Sequence, residues 1–268
     1  MKNTFGFIGT GNMGSALARS VAKAIAAEDI LLSDGYAPVA EKLAAELGTK
    51  AVSVETVAAT ANYIFLGVKP QVMAAMLSGI APVLKKRSDD FVLVSMAAGI
   101  QIADIRRMAG GDYPVIRIMP NIPVSVGGGV ILYDTTENVT AQAAEIFCQN
   151  MRFAGLVDKL PEKLIDAGSA LSGCGPAFVS LFIEALADGA VACGLPRAQA
   201  LTYAAQTVEG TAKMLLESGQ HPGALKDAVC SPGGSTIAGV AALEQGAFRA
   251  SVMEAVASAY QRTLELGK

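Results

Sequence analysis

Through the first 159 residues, short apolar runs of strand length alternate with segments that carry apolar positions at helical spacing. The run at 63–68 is apolar on both alternating faces, which is typical of a central strand covered by helices on both sides. This alternation predicts a parallel sheet with helices on both faces, a doubly wound α/β domain. Strands are predicted at 4–8, 30–33, 51–54, 63–68, 91–95, 115–118, in the glycine-rich stretch up to 133 and at 154–157, with helices at 12–27, 39–47, 71–84 and 141–151.

From Pro161 onward the two-residue alternation is absent, and apolar positions recur at spacings of three and four. This part is predicted to be all helical. It is rich in alanine and glycine, which supply little apolar bulk for an isolated core, so we expect a homodimer that shares the core. The predicted helices are 162–167, 177–193, 197–217, 224–230, 236–244 and 248–266. The chain is thus predicted to contain two domains, 1–159 and 160–268.

Composition and charge exclude several classes of function. The 268 residues are 52% apolar and 17% charged, so the chain can bury a large core and is not disordered. A net charge of -3 leaves no basic field for a nucleic-acid backbone. The longest uncharged run, 167–183, is interrupted by glycines and a proline, and residues 1–3 lead directly into a glycine-rich pattern. We expect no nucleic-acid partner, no membrane span, no secretory signal and a cytoplasmic location.

The cysteines and the histidine suggest neither a disulfide framework nor a metal site. Cys148, Cys174, Cys193 and Cys230 are widely spaced, and His221 is the one histidine of the chain. Since no C-x-x-C pair is present, we expect single buried thiols and no bound metal. His221 precedes a proline in a turn, which disfavours hydrolytic chemistry with a histidine base.

A G-x-G-x-x-G sequence lies between the first predicted strand and the following helix. In this context the first glycine permits a tight turn, the second lets a pyrophosphate approach the backbone, and the third lets the helix pack on the sheet. The free amides of the helix N-terminus then face the phosphates. The pattern predicts a dinucleotide site, and a glycine-rich turn without a ligand is the alternative. Its residues are Gly9, Thr10, Gly11, Asn12, Met13 and Gly14.

Asp34 lies at the end of the second predicted strand, twenty residues after Gly14. An acidic side chain here accepts hydrogen bonds from the adenosine ribose of NAD and opposes the 2'-phosphate of NADP. No arginine lies nearby and Lys42 belongs to the next helix, so the residues favour NADH over NADPH. The alternative is that Asp34 is a solvated turn residue beside Gly35.

Two further segments follow predicted strands at the carboxyl edge of the sheet, where ligands bind in this architecture. They are Val68-Lys69-Pro70 and Met119-Pro120-Asn121. Each is also compatible with an ordinary loop. Lys69 lacks the second cation or apolar setting that is typical of a Schiff-base lysine.

The segment 222–244 combines a helix end, a Pro-Gly-Gly turn and the start of another helix. The turn places backbone amides and the hydroxyls of Ser235 and Thr236 at a helix N-terminus, which suits a small carboxylate. The same two residues are suited to cap the new helix. Because helix caps are common, the residues alone favour plain capping over ligand binding.

Together these motifs resemble those of the pyrroline-5-carboxylate reductase family. The resemblance covers nearly the whole chain, and the segment from His221 to Glu244 is its most specific part. The other matching segments are 7–14, 68–70, 95–99, 117–121 and 172–177.

The resemblance implies a Rossmann domain followed by a helical domain for dimerisation and substrate binding, with dimers that assemble into larger rings. It also implies the last step of proline biosynthesis, the reduction of 1-pyrroline-5-carboxylate to L-proline by a nicotinamide cofactor. Thr236 would hydrogen-bond the ring nitrogen, while Ser231 and the amides of Gly234, Ser235 and Thr236, with Gly233 in the same turn, would take the carboxylate. The implied cofactor residues are Gly9 to Met13 at the pyrophosphate, Val68, Lys69 and Pro70 at the adenosine half, and Ala97, Ala98 and Asn121 at the nicotinamide.

Many members of this family have a small hydroxyl or basic residue where Asp34 stands, and that residue suits a 2'-phosphate. Asp34 departs from the pattern and favours NADH. Two alternatives stay open. A related dehydrogenase or imine reductase would act on another small acid with a catalytic lysine, and neither Lys213 nor Lys226 is well placed for that role. A nonenzymatic NAD(P)-binding sensor would lack a polar anchor such as Ser231 to Thr236.

Overall fold

The computed structural model describes residues 3–266, which form two compact units. The first unit comprises residues up to Gly173 together with those from Tyr260 onward, and the second comprises Cys174–Ala259. The expected lack of a secretory signal concerns residues 1–3, and Met1 and Lys2 lie outside the described part of the chain.

The first unit contains eight strands and seven α-helices within the described residues. The strands are β1 (Phe5–Ile8), β2 (Ile30–Ser33), β3 (Lys50–Ala51), β4 (Tyr63–Leu66), β5 (Val92–Ser95), β6 (Val115–Pro120), β7 (Gly129–Thr135) and β8 (Gly155–Lys159). The helices are α1 (Asn12–Val21), α2 (Ala37–Leu47), α3 (Val54–Thr60), α4 (Pro70–Leu84), α5 (Ile102–Ala109), α6 (Ala141–Met151) and α7 (Glu162–Ser172).

The strands form one sheet in the order β3-β2-β1-β4-β5-β6-β7-β8. The six strands from β3 to β6 are parallel and follow the order of dinucleotide-binding doubly wound sheets, whereas β7 runs antiparallel to β6. At the centre, Ile8 at the end of β1 pairs with Ser33 of β2 on one side and Leu66 of β4 on the other. The chain order therefore reverses at β1, where such sheets bind ligands.

Both faces of the sheet are buried, because each central strand sends alternate apolar side chains to opposite layers. Tyr63 and Phe65 of β4 face the layer that contains α1 and α6, where the Phe7 and Phe65 rings stack with centroids 4.4 Å apart. Ile64 and Leu66 face the layer that contains α4 and α5. The periodicity that predicted a central strand at 63–68 thus reflects two real core layers.

The second unit is all helical in its described part. Its helices are α8 (Gly175–Ala192), α9 (Arg197–Ser218), α10 (Pro222–Ala228), α11 (Ser235–Gln245) and α12 (Phe248–Leu266). The last turns of α12, from Tyr260 onward, belong to the first unit. The predicted doubly wound sheet followed by an all-α segment is confirmed. The buried core cluster of α8 and α9 is small, comprising Ala187, Ala200 and Ala204, while Leu181 and Met253 are 68% and 73% exposed.

Local structure departs from the sequence prediction at several places, and α7 continues to Ser172 instead of ending at residue 167. Helices α3 and α5 were not predicted, and of the strand expected at 51–54 only Ala51 lies in a strand, the two-residue β3. The Ser53 side chain accepts a hydrogen bond of 3.1 Å from the Thr56 amide and starts α3 there, so Val54 becomes helical. Helix α1 ends at Val21 rather than at residue 27.

The predicted domain boundary after Lys159 differs from the division between the compact units, which follows Gly173. Helix α7 accounts for the difference, because it packs against β6 and β7 of the sheet. The assignment of functions to domains 1–159 and 160–268 stays a prediction.

One helical stretch of the described residues, 162–192, is long and apolar enough by composition to cross a membrane. It is interrupted between α7 and α8 at Gly173 and Cys174, and 11% of its most apolar window is buried. Helices that pack against another copy of the chain are also expected to be this exposed in a single chain. The stretch alone is weak support for a membrane span.

Three cysteines, Cys148, Cys174 and Cys230, are half-buried and Cys193 is exposed, and none forms a disulfide. The prediction of buried thiols is therefore wrong for Cys193, which caps the C-terminus of α8 in the thinly packed second unit. Among residues 3–266, no group of three or more His, Cys, Asp or Glu side chains could hold a metal ion.

Candidate active site

The three glycines of the fingerprint are required for different structural reasons. Gly9 has a φ of +98°, and a Cβ atom there would lie 2.6 Å from the carbonyl oxygen of Gly67. A Cβ atom on Gly14 would lie 2.1 Å from the carbonyl oxygen of Gly9. A Cβ atom on Gly11 would meet nothing within 4 Å, so the turn is open at that residue. Gly9 and Gly14 therefore shape the turn, and Gly11 leaves its outer face free for a ligand.

The N-terminus of α1 is an open anion site. Gly11 is its N-cap in an extended conformation, and no side chain among the described residues caps the helix. Gly11 and Asn12 are exposed and Met13 is half-buried. Free amides and the positive end of the helix dipole at this point fit a pyrophosphate group.

Asp34 holds the glycine turn to the end of β2. Its Oδ2 accepts hydrogen bonds from the backbone amide and the hydroxyl of Thr10, at 2.7 Å and 3.1 Å. Its Oδ1 accepts from the amide of Tyr36 at 3.0 Å. Asp34 is therefore a turn residue that also fixes the glycine turn, a role that the sequence spacing did not reveal.

A groove of about 360 Å³ opens beside Asp34 between β2, α2 and the start of α3. Two of its lining side chains, Asp34 and Glu41, are acidic, and the described lining contains neither lysine nor arginine. The other lining residues are small or apolar, except for Ser33 and Ser53. The groove is therefore unfavourable for a further negative charge.

The turn between β4 and α4 lies directly against the glycine turn. The amide of Gly67 donates a hydrogen bond of 2.7 Å to the carbonyl oxygen of Ile8. Lys69 is the N-cap of α4, Pro70 is its first residue, and both are exposed, whereas Val68 is half-buried. The structure thus brings the segment 68–70 beside residues 9–14 at the carboxyl edge.

The residues expected at the nicotinamide follow β5 and β6 along the same edge. Ser95 at the end of β5 pairs with Leu66, and Ala97 is buried while Ala98 is exposed. Asn121 follows the end of β6 and is 7% exposed. Its amide nitrogen donates to the carbonyl oxygen of Ser172 at 2.9 Å, and its side-chain oxygen accepts from the amide of Val130 at 2.8 Å. Both polar atoms of Asn121 therefore hold neighbouring backbone.

In the second unit, the turn from Ser231 to Thr236 presents an uncapped helix N-terminus. Gly233 has a φ of +68°, and the amide of Gly234 donates to the carbonyl oxygen of Ser231 at 3.0 Å. Gly234 is the N-cap of α11, with no side-chain cap among the described residues. The prediction that Ser235 or Thr236 caps this helix is wrong, because the left-handed turn starts the helix one residue earlier. Both residues are exposed.

His221 and the two nearby lysines have structural partners. The Nδ1 atom of His221 accepts a hydrogen bond of 3.0 Å from the amide of Gly223 and caps α10, which agrees with the predicted turn. Lys226 pairs with Asp227, whose carboxylate raises the pKa of that lysine. Lys213 lies 3.8 Å from Glu217 on an exposed helix face. A charged, paired lysine is poorly suited to act as a base.

The strand order, the glycine turn at the point of reversal and the open helix N-terminus define a dinucleotide-binding oxidoreductase fold. A family model for NADP-dependent, coenzyme F420-dependent oxidoreductases matches residues 4–99, and a model for pyrroline-5-carboxylate reductase dimerisation matches residues 162–266. The chain belongs to the pyrroline-5-carboxylate reductase family, as the sequence motifs indicated.

Relatives across the whole chain support this membership. The pyrroline-5-carboxylate reductase of Escherichia coli is 42% identical, with all of both chains covered. The structure of the Coxiella burnetii pyrroline-5-carboxylate reductase covers both chains completely, with a TM-score of 0.93 and 29% identity. The Plasmodium falciparum pyrroline carboxylate reductase, solved with NADP bound, has a TM-score of 0.86 and 32% identity over both full chains.

Proposed function

We propose that this protein is an NAD(P)H-dependent reductase that converts 1-pyrroline-5-carboxylate to L-proline, the last step of proline biosynthesis. The observation that carries the proposal is the full-length similarity to pyrroline-5-carboxylate reductases, at 42% identity with the Escherichia coli protein. The glycine turn supports it, because open space at Gly11 and free amides at α1 fit the pyrophosphate of a dinucleotide.

When bound, the reduced nicotinamide supplies a hydride to the imine carbon of the substrate, and the protonated imine nitrogen becomes the amine of proline. A protonated cyclic imine is a good hydride acceptor, so the protein must mainly align it. In the proposal the residues Gly9 to Gly14 hold the pyrophosphate, Val68 to Pro70 contact the adenosine half, and Ala97, Ala98 and Asn121 line the nicotinamide.

The substrate carboxylate would bind at the start of α11. The amides of Ser235 and Thr236, with the hydroxyl of Ser231, offer donors there, and Gly233 supplies the left-handed turn. The amide of Gly234, expected from the family resemblance to contact the carboxylate as well, donates to the carbonyl oxygen of Ser231 instead. The uncapped helix end supports this assignment, since these donors have no side-chain cap within the described residues. Thr236 is the proposed catalytic residue, whose hydroxyl orients and polarises the ring nitrogen.

NADH is the proposed preferred cofactor. The acidic lining of the groove at Asp34 and Glu41 supports this, because a 2'-phosphate would add negative charge beside two carboxylates. The chain is also proposed to form a homodimer through residues 162–266, which match a dimerisation model, with a larger ring as a further expectation. The cytoplasmic location stays a prediction, which cell fractionation checks.

The first experiment follows absorbance of the reduced nicotinamide while the purified protein meets 1-pyrroline-5-carboxylate, in parallel with NADH and NADPH. We expect loss of absorbance with formation of L-proline, and a faster rate with NADH. No loss with either cofactor, despite measured cofactor binding, would overturn the proposal in favour of another imine substrate or a sensor.

A further inference from the structure

Among the described residues, Arg117 is the largest fully buried side chain, although it lies in an otherwise apolar strand. Its Nη1 atom lies 3.1 Å from Oε1 of Glu162, and its Nη2 atom lies 3.0 Å from Oδ1 of Asp166. Asp134 faces Arg117 across the β6–β7 pairing and accepts from the amide of Glu162 at 2.7 Å. We name Arg117, Asp134, Glu162 and Asp166 the β6–α7 ion cluster.

The β6–α7 ion cluster also holds the start of α5. The same Oε1 atom of Glu162 accepts a hydrogen bond of 2.8 Å from the amide of Ile102, the first residue of α5. Arg117 thus keeps in place a carboxylate that caps a helix from another part of the chain. The loop that ends at this cap follows β5 and contains Ala97 and Ala98.

A second contact ties α7 to the other end of β6. Asn121 donates to the carbonyl oxygen of Ser172, in the last residue of α7. Along β6, four residues span about 13 Å. From the middle of the Glu162–Asp166 pair to Ser172, eight helical residues span about 12 Å. Strand and helix are therefore matched in length and bonded at both ends.

We infer that Arg117 is a positioning residue for the nicotinamide end of the cofactor site. Through Glu162 it fixes the position of the loop 96–101, which follows β5, and through α7 it fixes the position of Asn121, which follows β6. The inference deepens the proposed function and rests on its placement of the nicotinamide. The Arg117 side chain is 2% exposed, so in this inference it acts only through these backbone elements.

A matched control exists at the opposite edge of the same sheet. The Arg87 side chain is 4% exposed, pairs with Asp89 at 2.6 Å and donates to the carbonyl oxygens of Ala58 and Ala61. It is a buried guanidinium paired with an acid, and its described contacts include none to loop 96–101. It differs from Arg117 in that its Nε atom also donates to Asp89, whereas the Nε atom of Arg117 has no hydrogen-bond partner among the described residues. Arg87→Lys therefore measures the loss of a structural arginine alone.

The test compares Glu162→Ala, Glu162→Gln and Arg117→Lys with Arg87→Lys in the full-length protein. Hydrogen exchange of the peptide 96–103 is measured without cofactor and with saturating NADH. We expect about tenfold faster exchange in Glu162→Ala, where the Ile102 amide loses its acceptor. Partial rescue is expected in Glu162→Gln, which keeps an acceptor oxygen, and no change is expected in Arg87→Lys.

Single-turnover hydride transfer, with protiated and 4-deuterated NADH, supplies the second readout. We expect Glu162→Ala and Arg117→Lys to slow this step about tenfold or more, while NADH affinity changes less than about threefold. Arg87→Lys is expected to lower Tm without slowing hydride transfer. If Arg117→Lys fails to fold, the two Glu162 variants decide whether the inference holds.

Unchanged exchange of 96–103 in Glu162→Ala would overturn the inference, whatever the substrate of the enzyme is. An equal loss of hydride-transfer rate in Arg87→Lys would also overturn it, because the effect would then follow stability alone. If the wild-type protein reduces no pyrroline carboxylate, the proposed function fails, and the exchange data still decide whether Arg117 positions this loop.

Discussion

The carboxylate of Asp34 accepts a hydrogen bond of 2.7 Å from the backbone amide of Thr10, which lies inside the glycine turn. This contact joins the end of β2 to the turn that follows β1. An acid at the end of β2 therefore does two things at once, since it adds negative charge to the groove between β2, α2 and α3 and holds the glycine turn. Substitutions at Asp34 are expected to change both properties.

Two substitutions of Asp34 distinguish the effect of its negative charge from its effect on the geometry of the glycine turn. Asp34→Asn keeps an acceptor oxygen for Thr10 and removes the charge, whereas Asp34→Ser removes the charge and leaves a shorter hydroxyl that does not reach as far toward Thr10. We expect both variants to raise NADPH affinity relative to NADH by about tenfold, because one close repulsion of a 2'-phosphate is lost. We expect Asp34→Ser also to weaken the binding of NADH. Fluorescence titration of both cofactors measures the two effects.

Glu46→Gln is the control for net charge, because Glu46 lies on α2 but pairs with Arg19 at 2.6 Å, outside the lining of the groove. Its cofactor ratio is expected to match that of the wild type. An unchanged ratio in both Asp34 variants would show that Asp34 has no part in cofactor choice.

Substitutions of the fingerprint glycines are expected to impair different properties of the protein. In Gly14→Ala the new Cβ would lie 2.1 Å from the carbonyl oxygen of Gly9, so the free energy of unfolding should fall by about 1–3 kcal/mol. In Gly11→Ala the Cβ meets open space, so stability should change by less than about 1 kcal/mol while cofactor affinity falls about tenfold. Urea unfolding and cofactor titration separate the two. Equal stability losses would contradict the assignment.

Thr236 is expected to affect turnover and leave cofactor binding nearly intact. We expect Thr236→Ala and Thr236→Val to lower kcat about tenfold to a thousandfold, because a positioned hydroxyl is lost at the reacting nitrogen. Thr236→Ser keeps the hydroxyl and is expected to retain most of the activity. Steady-state kinetics with 1-pyrroline-5-carboxylate measures this series. Normal turnover in Thr236→Val would remove Thr236 from the mechanism.

Tyr63 is expected to make stability depend on alkaline pH. Burial, with a smaller effect of Cys148, raises the pKa of Tyr63 to about 12. An unfolded tyrosine ionises near pH about 10, so the stabilisation is complete below about pH 10 and declines as pH rises toward about 12. Between about pH 9 and about pH 11 we expect a loss of about 1 kcal/mol.

Tyr63→Phe should remove that pH-dependent loss at a constant cost of about 1 kcal/mol, because the hydroxyl donates to the carbonyl oxygen of Ala143 at 2.8 Å. Tyr203→Phe is the control, since Tyr203 is 57% exposed. Urea unfolding at several pH values measures both. The same pH slope in Tyr63→Phe as in the wild type would contradict the assignment.

The apolar surface of the second unit predicts self-association. Leu181 on α8 is 68% exposed, so Leu181→Lys is expected to shift the assembly toward monomer by at least about tenfold in Kd. Leu156→Lys on β8, where the leucine is 59% exposed, is the control and should leave the mass unchanged. Analytical ultracentrifugation over a range of concentrations measures both. If the wild-type protein is a monomer at every concentration, the proposed dimer is wrong.

The fold followed from the sequence wherever periodicity was strong, as in β4 and α12. Shorter elements such as α3 depended on one cap at Ser53, which lies inside the mostly apolar run 51–54 that predicted a strand. At the site, the glycine turn was predicted because spacing and context both require it. The contacts of Asp34 with Thr10 and of Glu162 with Ile102 join residues 24 and 60 positions apart, and no local pattern encodes such pairs.

The thin alanine core of α8 and α9 has a consequence for synthesis of the protein in the cell. The strands and helices of the first unit, up to Gly173, are made first and bury both faces of their sheet without further chain. The helices that follow have three small side chains to bury between α8 and α9. We therefore expect maturation of the second unit to wait for encounter with another copy, so that active protein accumulates with a lag that shortens as expression rises.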